Sequence, residues 1–389
     1  MKPRRIAMVA ACPFPSPQGS QVFVAQMCEE LAARGHDVHL LTYGQGHRVL
    51  DGGYEHHRIG RLPGDDALRS GPSAVKPLLD AMLARALISL LRSQRFDVIH
   101  AHNYEATLAG LFARARTGIP VLHHSHTLFA DELPSYFKAR TARAMAALIG
   151  GATDRFIPIL CDRTIALCEE SAGVLAGLGV ARDRIDVIEP AVRDDGLLVD
   201  MAAARRDLDL PVDDFLVGYS GNLDAYQTLS TLLQASRELQ GDTRVRFVIS
   251  SHDASSAVAR QLAHEGSSTI VREVHGWAQA RRAIEACDVM VLPRKTGAGF
   301  PIKLLNYMSA GKAVVTAGCG AKLVRDGIDG LVVADGSPSC LATALKGLAN
   351  DPERAHTLAQ NARRTYLAQL TWDRILPRIE ASYERLLDC

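Results

Sequence analysis

Short apolar runs alternate with segments of helical period along almost the whole chain, and no other feature restricts its folding so tightly. Ile6–Ala10, Val38–Thr42, Val98–Ala101, Val121–His124, Thr164–Ala166 and Ile185–Ile188 read as buried strands. Gln21–Arg34, Ala74–Gln94, Ala106–Thr117, the region Arg140–Ile149 and Ser171–Leu178 read as helices between them. This alternation is the signature of a parallel sheet with crossover helices. A second series follows, with strands at Leu216–Ser220, Val245–Ile249, Ile270–Val274, Val289–Leu292, Ala313–Thr316 and Leu331–Val333. The polar stretch 190–212 reads as the junction, and Pro352–Gln369 and Trp372–Leu387 close the chain as helices with no strand after them. An α/β architecture in two halves is expected, and 389 residues suffice for each half to bury its own core.

Composition excludes several classes of function. Lys and Arg number 44 against 43 Asp and Glu, a balance that argues against the concentrated basic surface of a nucleic-acid binder. The eight cysteines are scattered, without Cys-x-x-Cys pairs or histidines at zinc-ligand spacing, as for free thiols in a reducing cytoplasm. Met1-Lys-Pro-Arg-Arg before the apolar run that ends at Cys12 resembles a lipoprotein signal. The run is at the short edge for a signal core, however, and is better read as the first buried strand, which needs no special explanation. No segment reaches the roughly 20 apolar residues of a membrane span.

Chemistry-bearing residues gather where strands end. Gly19 precedes the helix after the first strand, and a helix N-terminus there offers free amides to an anion. Asp97–Asn103 puts His102 and Asn103 at the C-terminal end of one strand, and His123-His124-Ser125-His126 ends the next. Carboxyl ends of parallel strands are where such sheets bind ligands. In the second half, Gly221-Asn222 through Gln227 leads from a strand to a helix. Gly297-Ala-Gly299-Phe300-Pro301-Ile302-Lys303 then leads to a helix carrying Asn306. One such loop in each Rossmann-like half suggests a phosphorylated ligand bridging a cleft. Gly44-Gln-Gly46 lacks the third glycine and the helix of a dinucleotide fingerprint, which disfavours a dehydrogenase.

With these motifs in this order and spacing, the chain resembles the retaining glycosyltransferases of family 4, which have the GT-B fold. The resemblance implies two Rossmann-like domains facing a central cleft: residues 1–195 binding the acceptor, completed by a final helix over 372–389, and residues 196–371 binding a nucleotide sugar. It implies a donor site at Gly19, Gly221, Asn222, Gln227, Gly299, Phe300, Pro301, Ile302 and Asn306. Its acceptor site falls at His102 and Asn103, and its catalytic roles at His126 and Lys303. The family's Arg and Lys diphosphate clamp is replaced by Asn222 and Gln227, and its glutamate pair falls on Ala298 and Asn306. Lys303, with Lys295 in reserve, is the expected substitute cation.

The expected activity is transfer of a sugar from a nucleoside diphosphate to an acceptor hydroxyl with retention, without metal or cofactor. A nucleotide-sugar epimerase of the same fold and a non-catalytic nucleotide-sugar-binding relative are the alternatives. Asp207-Leu-Asp209, in the polar junction, reads as surface charge rather than a metal site. The acceptor is a glycan, a lipid-linked molecule or a small molecule, and nucleic acid is not a partner. Pro134–Ile149, with Phe137, Lys138, Arg140 and Arg143, suggests peripheral contact with the inner face of a membrane.

Overall fold

The computed structural model describes residues 2–16, 19–46, 49, 51–62, 71–194, 196, 200–223, 227–241, 244–265, 268–294, 300–318, 323–333 and 335–388. The chain divides into two compact units. One comprises Met1–Ala191, Ala298–Phe300 and Trp372–Cys389, the other Val192–Gly297 and Pro301–Thr371. The main break falls between residues 191 and 192, inside the polar junction 190–212.

The first unit carries seven parallel strands: β1 (Arg5–Ala10), β2 (Asp37–Thr42), β3 (Glu55–Arg58), β4 (Val98–His102), β5 (Val121–Ser125), β6 (Arg163–Ala166) and β7 (Ile185–Val187). Their order is β3-β2-β1-β4-β5-β6-β7. Ile6–Ala10 is buried throughout, as a central strand covered on both faces must be. β3 was not expected, because Glu-His-His-Arg has no apolar run and its strand is an edge. On one face, Leu79, Leu83, Leu87 and Leu91 form a stripe along the helix Lys76–Ser93 and join Ala106, Ala109 and Ala113 of Asn103–Thr117 in the core. Each such leucine contributes about 1.5–3 kcal/mol by leaving water.

Gly19–Ala33 and the chain's last helix, Trp372–Leu387, also belong to this unit. The Phe23 and Trp372 rings stack at 5.5 Å, Arg34 grips Glu380 with two hydrogen bonds, and Tyr383 meets His100 at 2.7 Å. The helix starting at Arg140 runs on to Ile159, past the end expected at Ile149. Gly150, inside that helix, serves packing, since a Cβ there would strike the backbone carbonyl of Phe129.

The second unit repeats the plan with β8 (Phe215–Ser220), β9 (Val245–Ser251), β10 (Thr269–Glu273), β11 (Val289–Leu292), β12 (Ala313–Ala317) and β13 (Leu331–Val333), in the order β10-β9-β8-β11-β12-β13. Val217, Phe247, Val291 and Val315 lie in its core against Leu232, Leu341 and Leu345 from the helices. In each sheet the strand order reverses at one gap, between β1 and β4 and between β8 and β11. Ligands of such sheets bind outside the strand ends at that point.

Candidate active site

At the second unit's reversal point, Lys303 meets Asn222 and Gln227 from 81 residues further along the chain. β8 ends at Ser220, and Gly221 follows at φ 144°, a conformation that side-chain-bearing residues rarely adopt. A Cβ at Gly221 would also collide with the Lys303 side chain. Lys303 Nζ donates to Asn222 Oδ1 at 2.8 Å, and Gln227 Nε2 donates to the same oxygen at 2.8 Å. The lysine ammonium therefore stands beside the side chain of Asn222, on an oxygen that Gln227 also approaches.

Lys303 stands in the first turn of the helix Ile302–Ser309, whose N-cap is Pro301. The first amides of a helix have no acceptor within it, and they carry the positive end of its dipole. Asn306 lies three residues after Lys303, hence on the same face. Phe300 is buried just before the cap. Tyr307, which sequence reasoning had not singled out, fixes the helix to the strand: its hydroxyl accepts from Ser220 N–H and donates to Ser220 O, each at 3.1 Å. Gly299 and Lys295 lie outside the described residues.

The first unit's reversal point is lined by imidazoles. His100 and His102 alternate along β4, His124 pairs with His102 across the sheet, and His126 follows β5. Residues two apart on a strand share a face, so these four rings gather on one side. His123 points the other way, to Thr107 Oγ1 at 2.6 Å. Burial lowers the affinity of all five rings for a proton. It pushes His126 down to about 4, and burial with the neighbouring His126 pushes His123 to about 3. Burial, then neighbouring histidines, hold His100, His102 and His124 well below the ordinary range. All five are neutral at pH 7.

His102 is buried and pairs with His126 and Met8, so it stands behind His126 rather than open to an acceptor. Asn103 opens the next helix at φ 64°, and its Oδ1 accepts the His126 backbone N–H at 3.3 Å. Gly19 begins the helix Gly19–Ala33 and is exposed.

Nitrogens of His100, His102 and His124 lie within 4.8 Å of one another, as do ligand atoms of His39, Glu55 and His57. The His100–His124 contact of 2.9 Å is a hydrogen-bond length. Two nitrogens on one tetrahedral zinc would stand about 3.3 Å apart. Asp207 and Asp209 are engaged with Arg282 and Arg272, as surface charges are.

Solved structures share this architecture over nearly their whole length. A sucrose-phosphate synthase from Thermosynechococcus elongatus superposes with a TM-score of 0.84 at 19% identity, covering 99% of both chains. Anabaena HepE, in complex with UDP and glucose, gives 0.76 at 15% identity, covering 99% of this chain and 100% of its own. The fold is thus GT-B, the two-domain architecture of nucleotide-sugar enzymes. Residues 17–195 match the model described as Glycosyltransferase Family 4, and residues 214–351 match that of Glycosyl transferases group 1. The chain belongs to these glycosyltransferases. Among curated relatives, a D-inositol 3-phosphate glycosyltransferase of Mycobacterium avium is 26% identical, covering 99% of this chain and 95% of its own length.

Proposed function

We propose that this glycosyltransferase moves a sugar from a nucleoside diphosphate to an acceptor hydroxyl with retention, using no metal ion. The observation that carries the reading is the meeting of Lys303 with Asn222 and Gln227 beside a helix N-terminus. In the reaction, the bond from the anomeric carbon to the β-phosphate oxygen breaks, and negative charge grows on the diphosphate. A cation and helix amides fixed in advance stabilise that charge without reorganising. The acceptor oxygen bonds to the same face of the sugar carbon, and its proton passes to the departing phosphate oxygen. His126, neutral at the end of β5, accepts a hydrogen bond from a hydroxyl of the sugar or the acceptor.

The test is release of nucleoside diphosphate from a panel of nucleotide sugars, beginning with UDP-glucose, with and without acceptors. Inositol phosphates belong in that panel because relatives carry them in their names. Dependence on an acceptor supports transfer. A new nucleotide sugar formed without an acceptor would replace the reading with epimerisation, and binding without turnover would replace it with a non-catalytic role.

The reading includes peripheral contact with an anionic membrane. Met145, Leu148, Ile149 and Phe156 are exposed on the helix Arg140–Ile159, opposite its buried line Ala146, Gly150, Asp154 and Pro158. Leu148 is 76% exposed. Arg140, Arg143 and Arg155 are exposed too, while the helix's one acid, Asp154, is buried and accepts the backbone N–H groups of Phe129 and Ala130. An apolar stripe whose exposed charges are all positive suits an anionic interface.

A further inference from the structure

The edge strand β3 has no apolar residue to hold it, only Glu55, His56, His57 and Arg58. Its register with β2 sets His39 opposite Glu55 and Leu41 opposite His57. Glu55 and His57 therefore share a face with His39, while His56 turns to the other face and meets Thr42 Oγ1 at 2.9 Å. On the shared face, His39 Nδ1 lies 3.0 Å from His57 Nε2. Glu55 turns one carboxylate oxygen to each ring, at 3.3 Å from His39 Nδ1 and 3.5 Å from His57 Nε2. Two rings in contact at 3.0 Å make a hydrogen bond by themselves, as His100 and His124 do. Here a carboxylate touches both nitrogens. Asp37 Oδ1, 3.2 Å from His39 Nε2, can only accept, so a neutral His39 carries its proton on that nitrogen. Its Nδ1 then presents a lone pair to the Glu55 oxygen at 3.3 Å, and two acceptors so placed call for a cation between them.

We propose that His39, Glu55 and His57 bind one zinc ion, with water completing its shell, and that Asp37 is a positioning residue for His39. Ligands about 2.0–2.1 Å from a tetrahedral zinc stand about 3.3 Å apart, the middle of the three separations in this group. The support is also that of a metal ligand, since a carboxylate on the far nitrogen of a ligating histidine fixes its tautomer and orientation. Asp37 is itself paired with Arg5, and the His39 ring packs edge-on to Phe96 at 5.0 Å. Glu55 is exposed and His57 partly so, which gives the ion a way in. The ion fastens a strand without apolar residues to its neighbour. The register runs from His39 through Ala7 to Ile99, two strands away and three residues short of His102. The site is therefore structural, lies apart from the carboxyl ends of β4 and β5, and goes beyond the transfer reading, which uses no metal.

The test uses the full-length chain without an affinity tag, stripped with EDTA, dialysed, and titrated with zinc chloride at pH 7 by calorimetry. One equivalent should bind and raise the melting temperature. His57→Gln and Glu55→Gln, on the open side of the group, should each lose at least tenfold in zinc affinity, and Asp37→Asn about 10- to 100-fold. No zinc uptake by the wild type would leave a proton as the cation between His39 and Glu55 and overturn the site. Uptake unchanged in both His57→Gln and Glu55→Gln would overturn it too, and unchanged affinity in Asp37→Asn would overturn the positioning role. Anomalous diffraction at the zinc edge from wild-type crystals decides the matter should the variants fail to fold. The peak should lie about 2.0–2.2 Å from the nitrogens of His39 and His57 and an oxygen of Glu55, and a peak elsewhere alone would overturn the assignment.

Discussion

Acidification should unfold the first unit well before it affects ordinary carboxylates. Five histidines in that unit, His100, His102, His123, His124 and His126, are at most 6% exposed. In the unfolded chain each binds a proton near its ordinary value of 6.5, whereas in the fold His123 waits until about 3 and His126 until about 4. Between those limits the unfolded state holds more protons, so stability is complete above about pH 6.5 and falls as the pH falls. Each histidine costs about 1.4 kcal/mol per pH unit in that window, or about 2 kcal/mol from pH 7 to 5. His123 and His126 alone remove about 4 kcal/mol, and the three others add to this in the same direction. That is comparable to the whole stability of many domains, about 5–15 kcal/mol. Urea unfolding at pH 7, 6 and 5 measures the loss, and Trp372 fluorescence in a Trp277→Phe background confines the signal to the first unit. His123→Gln should flatten the dependence by about 1.4 kcal/mol per pH unit. A midpoint that stays constant from pH 7 to 5, or an equal slope in the variant, would refute the reasoning.

Lys303→Ala should keep its melting temperature and lose roughly 10- to 150-fold in kcat/KM, the worth of one charge-assisted hydrogen bond, with partial recovery on adding Asn222→Arg. His126→Ala should lower kcat by about tenfold or more while the donor Kd, read by calorimetry, stays within about twofold. Turnover should survive EDTA and gain nothing from magnesium or manganese; a requirement for either ion would defeat the metal-free reading. Flotation should recover the protein with anionic liposomes and not with neutral ones, and Leu148→Asp with Phe156→Asp should abolish it. Equal recovery from both would remove the membrane contact.

Much of the fold was legible because strands buried on both faces are largely apolar. Leu216–Ser220 and Val289–Leu292 announce themselves in that way, whereas Glu55–Arg58 at a sheet edge has nothing apolar to show. The role of Gly150 shows only in the fold, where it admits the Phe129 carbonyl against its helix. The site was legible by position and not by partnership. Lys303 and Asn222 stand 81 residues apart, and only the crossing of β11 beside β8 brings them together. The same limit hid Met8, an ordinary buried residue on β1 until strand order sets it beside His102. Tyr383 was hidden likewise, because its contact with His100 spans 283 residues.

The last helix gives the molecule a peculiar birth. Trp372–Leu387 supplies the ring that stacks on Phe23, the partner of Arg34 and the hydroxyl against His100. A ribosome making the chain finishes the first unit's sheet long before that helix exists. At about 5–20 residues per second, the intervening second unit occupies about 10–40 s. Throughout that interval the nascent sheet carries Phe23 and His100 without Trp372 and Tyr383 to cover them. The second unit, interrupted only at residues 298–300, can mature first. The unit that is translated first is thus completed last.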